Sequence, residues 1–163
     1  MLNHGCTILV VELDVVTALF LSGLALNDEA VRRLGAAGHP ELRISHGFLV
    51  QHVVDGPRPI GELAERMGVT QQAASKAVGE LERLGYLQRS PDPDDARVRR
   101  VGLTARGAQA VALTREIRAG IEGELAELIG ERRVAELKEA AWAVLEWTGG
   151  AAAVRARRVS DRR

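Results

Sequence analysis

A mainly α fold with one small β hairpin is what this sequence predicts, on three observations. Between positions 60 and 87, Leu63, Ala64, Met67, Val69, Ala74, Ala77, Val78, Leu81 and Leu84 recur at helical spacing, but Gly68 interrupts the run and Val69-Thr70 restarts it. That pattern is two short helices joined by a tight turn. The next residues alternate as two strands around a turn-rich centre. The segments on either side of this middle are long, apolar and helical in period, with more apolar surface than the middle can cover.

The N-terminal stretch from Thr7 to Leu26 is strongly apolar, but Glu12 and Asp14 interrupt it and no Lys or Arg precedes it. It therefore reads neither as a membrane span nor as a signal peptide. Its β-branched residues leave strand and helix both open as far as Val15; from Val16 the residues ALFLSGLALNDEAVRRL read as a helix apolar on most sides. Such a helix requires burial on several faces, which a partner subunit would supply.

Within the two short helices, small residues fall where they are needed. Ala64 stands where the helices cross closely, and Gly68 where the turn requires a left-handed backbone. Thr70 occupies an N-cap position. With Thr70 as cap, the second helix buries Ala74, Ala77, Val78, Leu81 and Leu84 and turns Gln71, Gln72, Ser75, Lys76, Gly79 and Arg83 outward. Such a face is either simply solvated or set against DNA, where Gln bonds bidentately to adenine, Ser bonds base or phosphate, and Lys supplies charge.

The residues that follow favour DNA. Gly85 closes the helix, Tyr86-Leu87-Gln88-Arg89 has strand character, and Pro91-Asp92-Pro93-Asp94-Asp95 is rich in turn formers. Val98, Val101 and Leu103 then alternate with Arg99, Arg100 and Gly102. The result is a two-stranded wing with Arg97 at its tip, attached to a helix-turn-helix.

These residues resemble the MarR-type winged-helix transcription regulators. Asp95-Ala96-Arg97, five residues, then Leu103-Thr104 fits that family's wing signature, and Leu81-Glu82-Arg83-Leu84-Gly85-Tyr86-Leu87 and Arg106-Gly107 match its pattern. The close match covers the middle third of the chain; the flanking helices are similar in length and order. The resemblance implies that Arg97 enters a minor groove, where a narrow A·T-rich segment concentrates negative potential. Asp95 would brace Arg97 without touching DNA, since phosphates repel a carboxylate. The DNA-contacting set is then Thr70, Gln71, Gln72, Ser75, Lys76, Arg97 and Arg99.

Thr104 can cap a long helix running through Leu128, with Val111, Leu113, Ile117, Ile121, Leu125 and Leu128 as its apolar positions. After Gly130 a second helix follows from about Arg132 to Trp147, carrying Val134, Leu137, Ala141, Trp142 and Leu145. The expected organisation is an N-terminal dimerisation segment at 1–36, a winged helix-turn-helix at 37–103, C-terminal dimerisation helices at 104–148, and a basic, disordered tail at 149–163. Family resemblance implies that the terminal helices interlock around a two-fold axis, so that two winged helices meet successive major grooves.

Composition is compatible with this reading. The 22 basic residues equal the 22 acidic ones, so a DNA-binding surface must be a local patch, for which Lys76, Arg89, Arg97, Arg99 and Arg100 are the candidates. The single cysteine, Cys6, cannot form an intrachain disulfide, in keeping with a reducing cytoplasm. His4, His39, His46 and His52 share no metal-ligand spacing. The resemblance further implies a small-molecule effector held between the dimerisation helices and the winged helix; the corresponding stretch is 41–54, with Phe48 and Leu49 as core candidates and His46 or His52 as polar groups at a pocket.

The sequence thus predicts a cytoplasmic, homodimeric, sequence-specific DNA-binding transcription regulator, a ligand-responsive repressor with no catalysis, cofactor or membrane association. The alternatives are a winged-helix module that binds protein, and a thiol-based peroxide sensor acting through Cys6.

Overall fold

In the computed structural model, which describes residues 13–95 and 97–155, Asp14 starts the first helix. Its carboxylate accepts the backbone N–H groups of Val16 and Thr17, both at 3.0 Å, and helix α1 (Val15–Ala36) follows. These bonds satisfy donors that a helix start leaves open. They also hold the Asp14 carboxyl below its ordinary protonation range, the Thr17 side-chain bond foremost. After α2 (Ile44–Val50) come strand β1 (Arg58–Pro59), α3 (Ile60–Met67) and α4 (Gln71–Arg83). Strands β2 (Leu87–Pro91) and β3 (Arg99–Leu103) lead into α5 (Ala105–Ile129), α6 (Glu131–Trp147) and α7 (Gly150–Arg155).

The predicted turn and caps are present. Gly68 closes α3 at φ 65°, ψ 32°, and Thr70 accepts the Ala73 N–H at 3.2 Å to open α4. Thr104 accepts the Gly107 N–H at 3.0 Å at the start of α5, and Gly130 separates α5 from α6 at φ 93°. Val78, Leu81 and Ala74 point inward from α4 as expected. They join Leu49, Val53, Leu63, Tyr86, Leu87, Val101 and Ala110 beneath α2, α3, the sheet and the first turns of α5.

Two elements differ from expectation. The sheet has three antiparallel strands in the order β1-β3-β2, not two: Arg58 pairs with Val101 and Pro59 with Arg100. A proline is tolerated there because β1 is an edge. The other correction concerns the expected disordered tail. Residues 150–155 form helix α7, with Ala151 buried and the Arg155 guanidinium 5.0 Å from the Trp142 ring centroid and 2.9 Å from Glu146 Oε1.

Helices α1 and α5 pack together through buried Ala30, Leu34 and Ala110 and through paired polar groups. Arg33 forks onto Glu124 at 2.5 and 2.6 Å, and Arg118 donates to Asn27 at 2.9 Å. The outer half of α1 is bare by contrast, with Val15, Val16, Leu19, Phe20 and Leu24 exposed. Leu128, Leu137, Val144 and Trp147 are exposed on α5 and α6, whereas Trp142 and Leu145 are half-buried. Among the described residues, no helix is long and apolar enough to cross a membrane.

Candidate nucleic-acid interface

Thr70, which caps α4, and Gln71, Gln72 and Lys76 on the helix are exposed, while the opposite face of α4 is locked into the core. Ser75 lies on the same side but is half-buried, and it is already engaged. Arg89 of β2 donates through Nη2 to the Ser75 hydroxyl at 3.2 Å and to its carbonyl at 3.3 Å. The other end of that guanidinium is 3.5 Å from Glu82. Arg89 therefore ties the hairpin to α4 and leaves the Ser75 hydroxyl hydrogen available for an outside acceptor.

The hairpin tip is stiffened by two aspartates. Asp95 Oδ1 accepts the Arg97 backbone N–H at 3.0 Å and its Nε at 3.1 Å, and Oδ2 accepts Nη2 at 3.3 Å. These bonds, led by the Arg97 side chain, pull the Asp95 carboxyl below its ordinary range. The Arg97 side chain is 91% exposed all the same. Asp95 thus holds the Arg97 guanidinium in one direction and leaves its outer surface open. Asp92 binds Arg100 in a similar way at 2.5 Å and accepts the Asp94 N–H at 2.9 Å. Arg100 is thus drawn back onto the hairpin, and Arg99 beside it is exposed. Of the five basic residues proposed as a patch, Lys76, Arg97 and Arg99 face outward, and Arg89 and Arg100 hold the frame together.

The hairpin is anchored to α5 at Tyr86, which the sequence identified as the start of a strand and as part of the family pattern, without a role of its own. Its carbonyl accepts the Thr104 N–H at 3.1 Å, and its hydroxyl lies 3.0 Å from His39 Nδ1 and 3.2 Å from Glu41. Arg106 covers the ring at 4.5 Å and donates to the Leu84 carbonyl at 2.9 Å. Burial pushes the Tyr86 hydroxyl up from its ordinary range. Any tilt of α5 is therefore felt at the root of the hairpin.

A cavity of about 550 Å³ lies between α1, α2 and α5. Its wall is apolar at Ala30, Leu34, Phe48 and Val111, and its charged lining groups, Arg43, Arg115 and Arg118, are all basic. The two histidines expected at such a pocket part company. His46 is buried and lines the cavity; His52 is buried too but lies in the turns that follow α2, outside the lining. No group of three His, Cys, Asp or Glu able to hold a metal occurs among the described residues. Cys6 and His4 lie outside them, as do the arginines beyond Arg155.

Residues 45–98 match the profile of the MarR family. A search of curated proteins finds no match. Among solved structures, the fold is similar to that of RV1404 from Mycobacterium tuberculosis, with TM-score 0.71, 22% identity, and coverage of 83% of this chain and 94% of that one. Streptococcus pneumoniae FabT in complex with DNA superposes with TM-score 0.64 at 17% identity, over 82% of this chain and 92% of that one. Staphylococcus aureus MepR bound to DNA gives 0.60 at 19% identity, over 83% and 98%. The matched residues run from α2 through the helix-turn-helix to the tip of the hairpin, and it is this part of the chain that is similar to the MarR family.

Proposed function

We propose that this chain is a DNA-binding transcription regulator that acts as a homodimer and represses. The observation that carries the reading is the pairing of an outward polar face on α4 with an exposed arginine held rigid at the adjacent hairpin tip. In this reading Thr70, Gln71, Gln72, Ser75 and Lys76 meet the major groove, and Arg97 and Arg99 reach the flanking minor groove and backbone. Two of the similar structures are complexes with DNA, which supports the same use of the fold here. The bare apolar faces of α1 and α6 support a second copy as partner, with segments 1–36 and 104–148 forming the interface and the winged helix at 37–103 left free. Dimerisation would space two α4 helices about one helical turn of DNA apart. The cavity has the volume of a site for a small molecule, and its basic groups favour an effector with an apolar body and an anionic group.

Selection of genomic fragments by the purified protein tests the reading directly. A pseudo-palindromic duplex should be enriched, and the Lys76→Ala, Arg97→Ala double variant should lose it while sedimenting as a dimer. If no duplex is enriched, or the double variant keeps full affinity, this surface is not a DNA interface and the protein-binding alternative takes its place.

A further inference from the structure

The cavity and α4 share one cluster of ionisable groups. His46 lines the cavity at 7% exposure. Its Nδ1 accepts the backbone N–H of Arg43 at 3.3 Å, which closes the open first turn of α2. In neutral imidazole an accepting Nδ1 leaves the proton on Nε2. That nitrogen lies 3.5 Å from Glu80 Oε1, and Glu80 belongs to α4. The same carboxylate oxygen receives Arg43 Nη2, which is itself 3.4 Å from His46 Nε2.

We propose that Arg43, His46 and Glu80 form a proton-responsive latch joining the cavity wall to α4; its regulatory meaning rests on the reading of α4 as a DNA reader. With His46 neutral, Nδ1 caps α2 and Nε2 lies 3.5 Å from the Glu80 carboxylate of α4, so one side chain touches both helices. When a proton from water adds to Nδ1, that nitrogen becomes a donor facing the Arg43 N–H, and the cap is lost. The imidazolium and the Arg43 guanidinium then compete for the single Glu80 carboxylate. Both changes act where α2 packs on α4.

The surrounding charges set the direction. His46 faces Arg43 from the α1–α2 loop and Glu80 from α4; across the cavity α5 contributes Arg115 and Arg118, and on α3 Glu62 is paired with Arg58 and Arg66. Burial first, then Arg43, disfavour the charged ring and outweigh Glu80, so His46 protonates below its ordinary range. The latch is closed at neutral pH and opens in acid. An anion seated in the cavity beside His46 would favour protonation and open it at higher pH, since proton and ligand binding are reciprocal.

NMR of the full-length protein over about pH 5 to 8 tests this, that being the range in which histidine changes charge. The His46 ring signals are assigned by their loss in His46→Gln. The expected result is an unprotonated Nδ1 at neutral pH, a midpoint below that of free imidazole, and α4 amides around Glu80 shifting with that midpoint. Glu80→Gln, a half-exposed site that does not disturb the core, should lower the His46 midpoint and uncouple the α4 amides from it. A protonated Nδ1 at neutral pH, or α4 amides that ignore the titration of His46, would overturn the latch. With a duplex recovered by selection, acid should weaken binding several-fold more in the native chain than in Glu80→Gln; equal losses overturn the regulatory role. If no duplex is bound the functional reading fails, and the NMR still decides the latch.

Discussion

Replacing Gly107 by alanine should damage the fold more than its single methyl group implies. A Cβ at this position would stand 2.1 Å from the Tyr86 carbonyl oxygen, 3.1 Å from its carbon and 3.2 Å from Leu103 Cδ2. Non-bonded carbon contacts are comfortable only at about 3.5–4.0 Å, so α5 must move off the hairpin root by roughly an ångström. The carbonyl cannot swing aside without cost, because it accepts the Thr104 N–H at 3.1 Å and the Thr104 hydroxyl at 3.2 Å. Overpacking costs about 1–3 kcal/mol and each strained hydrogen bond about 1 kcal/mol. A loss of roughly 2–5 kcal/mol follows from these two contributions, a large part of the stability of an ordinary domain.

Gly79 provides the control. It lies inside α4 with nothing within 4 Å of an added Cβ, so Gly79→Ala should stabilise by up to about 1 kcal/mol through helix propensity and a less disordered unfolded chain. Urea unfolding followed by circular dichroism measures both. A native midpoint for Gly107→Ala, or shifts of the same sign in the two variants, would show that the approach of α5 to Tyr86 is not as close as described.

Thr70→Ala removes the bond to the Ala73 N–H and should cost about 1 kcal/mol, lowering the urea midpoint and, by fraying the turn that carries Gln71 and Gln72, the duplex affinity. Arg97→Ala should weaken binding chiefly at sites with A·T-rich flanks and leave the urea midpoint in place. Asp95→Ala should reproduce part of that loss in a duplex titration; tighter binding would mean that Asp95 acts by repulsion and not as a brace. Affinity should fall with salt at a slope near −0.9 per phosphate contact, and a flat dependence in a salt series would contradict the interface. Since His46 is held below the ordinary 6.5 in the folded chain, the unfolded chain takes up its proton first. Its contribution is intact above that value and is lost as pH falls from there through the folded midpoint, so unfolding free energy should decline over that window less steeply in His46→Gln.

What the sequence made legible was set by short-range chemistry. Gly68, Thr70 and Thr104 announce their turns and caps because the bonds they make lie within four residues. The hairpin was equally plain, since Asp95 and Arg97 are two residues apart. Strand β1 was not, because two residues have no period of their own and exist as a strand only through pairing with Val101 and Arg100. Helix α7 was hidden by Gly149-Gly150, which reads as an end; what holds it is the return of Arg155 onto Trp142 and Glu146. The basic patch was overcounted for the same reason. Whether an arginine is free or spent depends on partners such as Ser75, 14 residues from Arg89, and Asp92, eight from Arg100.

The bare half of α1 bears on how a signal in the cavity would reach DNA. The inner half of α1 is committed to α5 through Ala30, Leu34 and Arg33, whereas Val16, Leu19, Phe20 and Leu24 stay exposed among the described residues. Fully burying side chains of this size is worth about 1.5–3 kcal/mol each, so a second copy has ample reason to grip the outer half of α1 together with the end of α6, where Trp147 is 87% exposed. In the proposed dimer one end of α1 would then be held by the partner and the other would form the cavity wall. Helix α5 joins that wall to Tyr86 at the hairpin root, and His46 joins it to α4. A ligand that shifts the wall has two short routes to the side chains proposed to face DNA. The two routes are linked, since Arg89 bonds the hairpin to α4 at Ser75. In the proposed dimer, an effector in this cavity would act both on the α2–α4 contact within each head and, through α1, on the spacing of the two heads.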